Sequence, residues 1–336
     1  HNDIEKAGLS KLSEQGGSGP GSYIYVKPGQ TPGNVLIEIK SGKIKGNPTL
    51  WSWHIWIVDK YPTVLDVASQ GGDGPKTVRL MSHLLGAYER VQSQYSADAY
   101  REFGMQYQWG RKDPFPAHDV RVNTNFYNGS GKLFDFLWEQ RGNDVDYGKT
   151  DAQQARGAAL TMKQSIEHPN AIVSHQSFWL YECFPHRFVS YFKDRWVFLY
   201  PWNQPSRTGN PEDVGGKTVF DPSPYGFRIM SQKEAVTLRS AYYYASRSGL
   251  NTPLPGSIYD GSFTDGKSGG NEVIFAVAQA RSDTHAGRYL LNSTGGPAGW
   301  APTSNTSAVY RRCMTYSVRP VIDPDVQEDY KKYLPE

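Results

Sequence analysis

Cys183 and His186 stand three residues apart, the closest approach of a thiol to an imidazole along the chain. A cysteine nucleophile needs such a base to take its proton. The pair lies inside a dense aromatic run from Phe178 to Trp202, which predicts a buried thiol beside a hydrogen-bonded ring rather than a working dyad. A serine nucleophile would be advertised by Gly-x-Ser-x-Gly, and neither Gly129-Ser130-Gly131 nor Gly256-Ser257-Ile258 matches it. The 8 histidines include no pair at i, i+4 spacing with a glutamate between, so no zinc-hydrolase helix is expected. Neighbouring acids such as Asp144 with Asp146, and Asp323 with Asp325, occur without a calcium-loop pattern. Glycosidase chemistry requires two carboxylates roughly 5–10 Å apart, a distance that spacing along a chain does not encode. The run from Gly16 to Ser22 has the glycine density of a phosphate loop, but lacks a preceding apolar strand and a Gly-Lys-Ser/Thr end. It reads as a flexible linker. No catalytic group, metal or cofactor is expected.

Composition bounds the framework that must position any functional group. With 336 residues, 38% hydrophobic and 13% aromatic, the chain is long enough and apolar enough to bury a large core. Gly (34) and Pro (22) together favour short strands joined by many loops over a helical bundle. Lys+Arg minus Asp+Glu is 36 − 33 = +3, which makes no electrostatic case for nucleic acid or an anionic membrane. No apolar run approaches the ~18 residues of a membrane-spanning helix. Cys183 and Cys313 lack any zinc spacing and read as two separate buried thiols, with one long-range disulfide as the alternative.

Strands are expected at Ser22–Val26, Val35–Lys40 and Leu50–Asp59, separated by turn signals at Pro28-Gly29, Pro32-Gly33 and Ser41-Gly42. Part of 151–168 is expected to be helical up to Pro169. Ser231-Gln-Lys-Glu234 is a capping box that predicts a helix over 232–240. Buried strands are expected at 273–278 and 315–321, loops at 251–271 and 292–309. The fold class expected is α+β, with short mixed strands, two or three helices and long loops. Residues 1–21 read as a flexible segment, 22–322 as a single domain and 323–336 as a charged tail.

Three segments are more distinctive. In Leu50–Asp59 (LWSWHIWIVD), alternation points Trp51, Trp53 and Ile55 one way and Ser52, His54 and Trp56 the other. Large groups on both faces predict a strand buried on both sides, with a tryptophan-lined sugar platform as the alternative. In Gln106–Pro116 (QYQWGRKDPFP), Trp109 and Gly110 begin a turn in which Arg111 is expected to tie back to Asp113 or another carboxylate, as a structural latch. In Lys217–Ile229, Asp221-Pro-Ser-Pro-Tyr-Gly-Phe-Arg228 feeds a short strand tightly into the capping-box helix.

Taken together, these segments resemble fimbrillin-type tip adhesins and related surface lipoproteins of Bacteroidetes, an architecture shared with the major paralogous domain of Fibrobacter. LWSWHIWIVD is similar to the family's ILWSWHIWVTDY, and Gln106–Pro116 to its YYQWGRKDPFP. Shorter blocks follow in the family's order. Met81 and Leu85-Gly86-Ala87 echo MDRNLGA, while Ser165-Ile166 with Pro169 and Trp202-Asn203 match SIKNPTTFI and LWN. Asp221–Arg228 echoes YDPCPAGWRVP, and Ser317-Val318-Arg319 echoes GxSVRCV. The likeness covers about residues 35–320. It implies a C-type-lectin-like or sulfatase-modifying-factor-like α+β fold on an extracellular, surface-anchored adhesion protein. Its signature positions are Trp51, Trp53, Trp56, Trp109, Arg111, Asp113, Asp221, Arg228 and Arg319.

Departures from the family pattern carry their own expectations. Ser223 and Pro320 occupy the places of two family cysteines that are missing together, as a bonded pair would be. Loss of such a crosslink costs about 2–5 kcal/mol, so the junction is expected to hold by packing alone. Ser82 and His83 replace an acid and an arginine, which removes any ion pair there. Calcium-binding triplets of true C-type lectins are absent, so calcium-dependent sugar binding does not carry over. The resemblance implies a non-catalytic adhesin, the adhesive C-terminal half of a fimbrial tip subunit, with glycans, host or bacterial surface ligands and other fimbrial subunits as partners. A ligand is expected in loops that combine ring stacking with hydrogen bonding, at Tyr259, Asp260, Asp265, Asn292 and Trp300. The alternatives are a secreted hydrolase or formylglycine-generating-type enzyme, and a purely structural pilus subunit.

Overall fold

The computed structural model describes residues 26–27, 32–42, 47–68, 75, 77–90, 104–116, 162–167, 169, 202–205, 214–235, 237, 257–259, 262–264, 272–280, 286–292 and 315–323. Strands dominate them, with very few short helical pieces, which is a mixed architecture compatible with the α+β class. Alternating large residues build the first element, a hairpin of β1 (Gly33–Lys40) and β2 (Thr49–Ile57). Its antiparallel register puts Val35 opposite Ile55, Ile37 opposite Trp53 and Ile39 opposite Trp51 on one face. Asn34, Leu36 and Glu38 lie opposite Trp56, His54 and Ser52 on the other. The short helix α1 (Met162–Glu167) packs against β2.

Next along the chain come β3 (Val64–Ala68), β4 (Thr77–Met81), β5 (Met105–Gln108) and β6 (Phe115–Pro116). After α1 follow β7 (Asn203–Pro205), β8 (Val214–Lys217), β9 (Phe227–Arg228), β10 (Ser257–Tyr259) and β11 (Ser262–Thr264). The last four are β12 (Glu272–Ala280), β13 (Ala286–Asn292), β14 (Thr315–Ser317) and β15 (Val321–Ile322). A five-stranded sheet has the order β13-β12-β14-β5-β6 and a four-stranded sheet the order β3-β4-β15-β9. β1–β2, β7–β8 and β10–β11 form two-stranded sheets. Every pairing is antiparallel except β12 with β14. The end of the chain thus closes both larger sheets against strands from its first third.

One continuous strand was expected at 315–321. Instead the chain leaves the five-stranded sheet after Ser317 and enters the four-stranded sheet at Val321. The switch falls at 318–320, where Pro320 has no N–H to give a ladder. The carbonyls there are used crosswise: Val318 accepts from Leu85 N at 2.9 Å and Pro320 from Met81 N at 2.8 Å. The Arg319 side chain adds a bond from its Nε to Met81 O at 3.2 Å. This crossing stitches the 81–87 loop to both sheets. Gly104 sits at the same junction with φ +63°, where an added Cβ would stand 2.6 Å from Leu85 O. Leu85 O itself accepts from Met105 N at 2.7 Å, so it has no room to move.

Several other expectations need revision. The stretch 251–271, expected to be loop, contains the β10–β11 hairpin, and Asn292 ends β13 rather than opening a loop. The capping-box helix is described over 232–235 and at 237. Of the strand expected at Ser22–Val26, only Val26 lies among the described residues, and it is not in a strand. Asp323, expected to begin a charged tail, is buried, and its N–H bonds Gly226 O at 2.9 Å. The linker 1–21, the tail from 324 onward, Cys183, His186 and Cys313 lie outside the described residues. Among the described residues no helix is long and apolar enough to cross a membrane.

The core is aromatic and sulfur-rich. Tyr107, Trp109, Trp202, Phe227 and Tyr316 are fully buried with Leu80, Met81 and Leu84. Trp56, Tyr61 and Val64 close over a cluster of Met81, Phe227 and Ile322. Trp109 and Trp202 meet with ring centroids 6.1 Å apart and planes tilted by 60°. Each indole also places its N–H, Trp109 Nε1 on Ala278 O at 3.3 Å and Trp202 Nε1 on Arg111 O at 3.0 Å. Buried tryptophans contribute large apolar area, but need such partners to offset desolvation of the N–H.

Candidate functional site

A buried polar seam joins the β1–β2 hairpin to the body, and further signature residues hold the body together beside it. At its centre are Ser52 of β2 and the Lys112-Asp113 step after the β5 turn. Ser52 Oγ donates to Asp113 Oδ1 at 2.6 Å, and Lys112 Nζ reaches the same oxygen at 2.6 Å. Lys112 Nζ also bonds Ser52 O at 2.9 Å and Ser52 Oγ, and lies 4.6 Å from the Trp51 ring centroid. Burial lowers the Lys112 pKa and raises that of Asp113, and in each the partner's charge opposes the shift. We take the pair as ionised, because bonds of 2.6 Å at the carboxylate are charge-assisted in length.

A lysine beside a serine could act as base for a nucleophile. This geometry points elsewhere: Ser52 gives its proton to Asp113, and its side chain is only 2% exposed. The cluster fastens the hairpin to the turn. Arg111, expected to tie back to Asp113 or another carboxylate, donates to Gln108 Oε1 and to Pro169 O, each at 3.0 Å, and acts on Asp113 through its charge. Its guanidinium stacks 4.9 Å from the Phe115 ring centroid. The physical reason is geometric: Gly110 turns the chain at φ +84°, and Lys112, not Arg111, then stands over Trp51 and the carboxylate.

His54 anchors a second part of the seam. Its Nε2 lies 2.8 Å from Asn34 Oδ1, and its Nδ1 lies 3.0 Å from the Tyr107 hydroxyl. Asn34 Nδ2 donates onward to Gly86 O at 2.8 Å. Burial pushes the His54 pKa down to about 3 and the Tyr107 pKa well up, so both stay neutral near pH 7. Gly86 has φ +84°, and an added Cβ would stand 2.4 Å from Met105 Cγ and 3.0 Å from Asn34 Oδ1. Gly86→Ala is expected to cost about 1–3 kcal/mol, from left-handed backbone strain plus displacement of Asn34. Urea unfolding checks this; a loss under about 0.5 kcal/mol would contradict the crowding.

The third part holds the Asp221–Arg228 motif. Asp221 is buried and accepts backbone N–H bonds from Ser223 and Ile229, each at 2.8 Å, which fixes the Pro-Ser-Pro turn. Burial raises its pKa, while Lys217 opposes that shift. Lys217 Nζ caps the Ser223 and Pro224 carbonyls. Arg228 forks onto Glu234 with bonds of 2.9 and 2.8 Å, and Glu234 Oε2 accepts from Ser231 N at 2.7 Å. The capping box is completed by Ser231 Oγ accepting from Glu234 N at 3.1 Å. At Ser223 and Pro320, hydrogen bonds through Asp221, Lys217 and Met81 hold the chain. The expectation of packing alone is thereby corrected. Ser82 and His83, read as a lost ion pair, bond each other through Oγ and Nδ1 at 2.8 Å.

Of the loop residues expected to contact a ligand, only the backbones of Tyr259 and Asn292 are among the described residues. The backbones of Tyr259 and Asn292 end β10 and β13. Their side chains, with Asp260, Asp265 and Trp300, lie outside the described residues. Among the described residues no three His, Cys, Asp or Glu side chains gather as metal ligands would. Asn34, Ser52, His54, Tyr107, Lys112 and Lys217 were not singled out as seam partners from sequence. Their only signal was a polar residue within an aromatic strand or turn, which does not name a partner. Compared with known proteins, the chain matches no family model, no curated protein and no solved structure.

Proposed function

We propose that the chain is a non-catalytic adhesin-like protein of C-type-lectin-like or sulfatase-modifying-factor-like fold. In this reading it is the adhesive part of a fimbrial tip subunit, displayed outside the cell, that binds a glycan or another surface ligand through its loops. The observation that supports it is where the motifs go. Ser52, Trp109, Arg111, Asp113, Asp221, Arg228 and Arg319 are all buried and answer one another or nearby backbone inside the protein. Residues committed to a framework in this way are the shared signature of a fold, and they leave recognition to the loops it carries.

Tyr259 and Trp300 would stack on the apolar face of a sugar, with Asp260, Asp265 and Asn292 supplying hydrogen bonds. A broad glycan array, probed with calcium and again with chelator, tests the reading. Binding that survives chelation and falls at least tenfold in a Trp300→Ala/Asp265→Ala variant is the expected result. An array left blank by a correctly folded chain would remove the glycan ligand. Binding unchanged in the double variant would remove these loops as the site.

A further inference from the structure

The central strands of the five-stranded sheet carry a row of polar side chains on one face. In the β5–β14 ladder Gln106 stands opposite Ser317, and Gln108 opposite Thr315. Residues opposite each other in a ladder share a face, so two amides and two hydroxyls lie together there. All four residues are buried. The two amides differ in what they face. Gln108, directly across from Thr315, gives its Oε1 to Arg111 Nη1 at 3.0 Å. Gln106 reaches diagonally along the ladder, and Thr315 Oγ1 donates to its Oε1. A hydroxyl bonded to a carbonyl oxygen stands about 3.5 Å from the carbonyl carbon, the spacing of a near-attack pair. Ser317 completes the group, with a buried Oγ that has no hydrogen-bond partner among the described residues.

We propose that this row is a self-modification site, at which Thr315 and Gln106 condense into an internal ester that staples β14 to β5. Thr315 Oγ1 attacks Gln106 Cδ, the Oγ1–Cδ bond forms, the Cδ–Nε2 bond breaks and ammonia leaves. The Oγ1 proton passes to the Ser317 hydroxyl, which hands its own proton to the departing Nε2. This cyclic relay restores Ser317 and leaves no charge behind in a low-dielectric interior. One alcohol and one amide become one ester and one ammonia, so the step needs no oxidant and no further reactant. Ammonia is protonated near neutral pH, and its loss to bulk water draws the exchange forward.

Two features of the fold support the step. The ladder holds hydroxyl and amide together, which replaces an encounter between two molecules by a reaction within one. Burial of the row then keeps water from the ester once it has formed. The bond joins residues 209 positions apart, so β5 and β14 could not be drawn apart without breaking it. It is independent of the ligand that the loops bind.

The intact mass of the purified full chain, aged folded for days near neutral pH and then denatured, tests the proposal. A mass about 17 Da below that of the sequence is expected, the loss of one ammonia. Tryptic digestion should yield peptide 102–111 joined to peptide 313–331, and mild alkali should part them, as it does an ester but not an amide. Thr315→Val keeps the shape without the hydroxyl and should show the full sequence mass, while Thr315→Ser should still form the link. Ser317→Ala should form it about a hundredfold more slowly. Should a variant misfold, the wild-type mass and the joined peptide decide alone. The full sequence mass in aged wild type, a link between other residues, or one stable to alkali would overturn the proposal. Link formation in Ser317→Ala at the wild-type rate would overturn the relay.

Discussion

Lys112→Met is expected to destabilise the protein by about 3–5 kcal/mol at pH 7, the cost of leaving a buried carboxylate without its counter-charge. Asp113 is 2% exposed, and losing Lys112 Nζ leaves it one bond from Ser52 Oγ and a more distant attraction to Arg111. Ser52 O also loses its donor, and Trp51 loses the cation beside its ring. The loss should shrink as pH falls. Without Lys112 the Asp113 pKa rises further, so the folded state gains a proton at a pH where the unfolded state does not. Adding Asp113→Asn to Lys112→Met should recover at least half the loss, because no uncompensated charge then remains. Urea unfolding of the four proteins at pH 7 and 5.5 reads all of this. A single-variant loss below 1 kcal/mol, or a double variant no better than the single, would show that the pair is solvated.

Trp109→Ala should cost about 3–5 kcal/mol, with cavity formation as the main term. Trp109 is fully buried, packs against Trp202 and bonds Ala278 O, so it joins the β5 turn to β12 across the five-stranded sheet. Trp109→Phe keeps most of the ring but deserts a buried carbonyl, and about 1–2 kcal/mol is expected for that change. Because the two indoles touch, Trp109→Ala and Trp202→Ala should not add, and the double variant should lose less than the sum. Additive losses in denaturant unfolding would mean the rings act separately.

Some of this organisation is legible in the residues. Alternation in Val35–Lys40 and Leu50–Ile57 marks β1 and β2, because a strand turns successive side chains to opposite faces. The Ser231–Glu234 capping box marks its helical turn, because both bonds close within three residues. Glycine and proline density marks short strands and tight turns. Each of these is local geometry, and the chain carries the needed information within a few positions.

Partner choice is not local. Gln106 Oε1 accepts from Thr315 Oγ1, Arg319 reaches Met81 O, and Trp109 reaches Ala278 O only after the sheets are assembled. Asp113 had two cations beside it in sequence, and the turn at Gly110 together with the arrival of Ser52 selected Lys112. The run Thr315–Val321 looks like one strand until β5 and β9 claim its two ends for different sheets. Composition and spacing thus set which elements form. The meeting of distant strands in a low-dielectric interior set which charges pair, which histidines stay neutral and where the chain changes sheets, because the cost of an unanswered buried group is incurred only there.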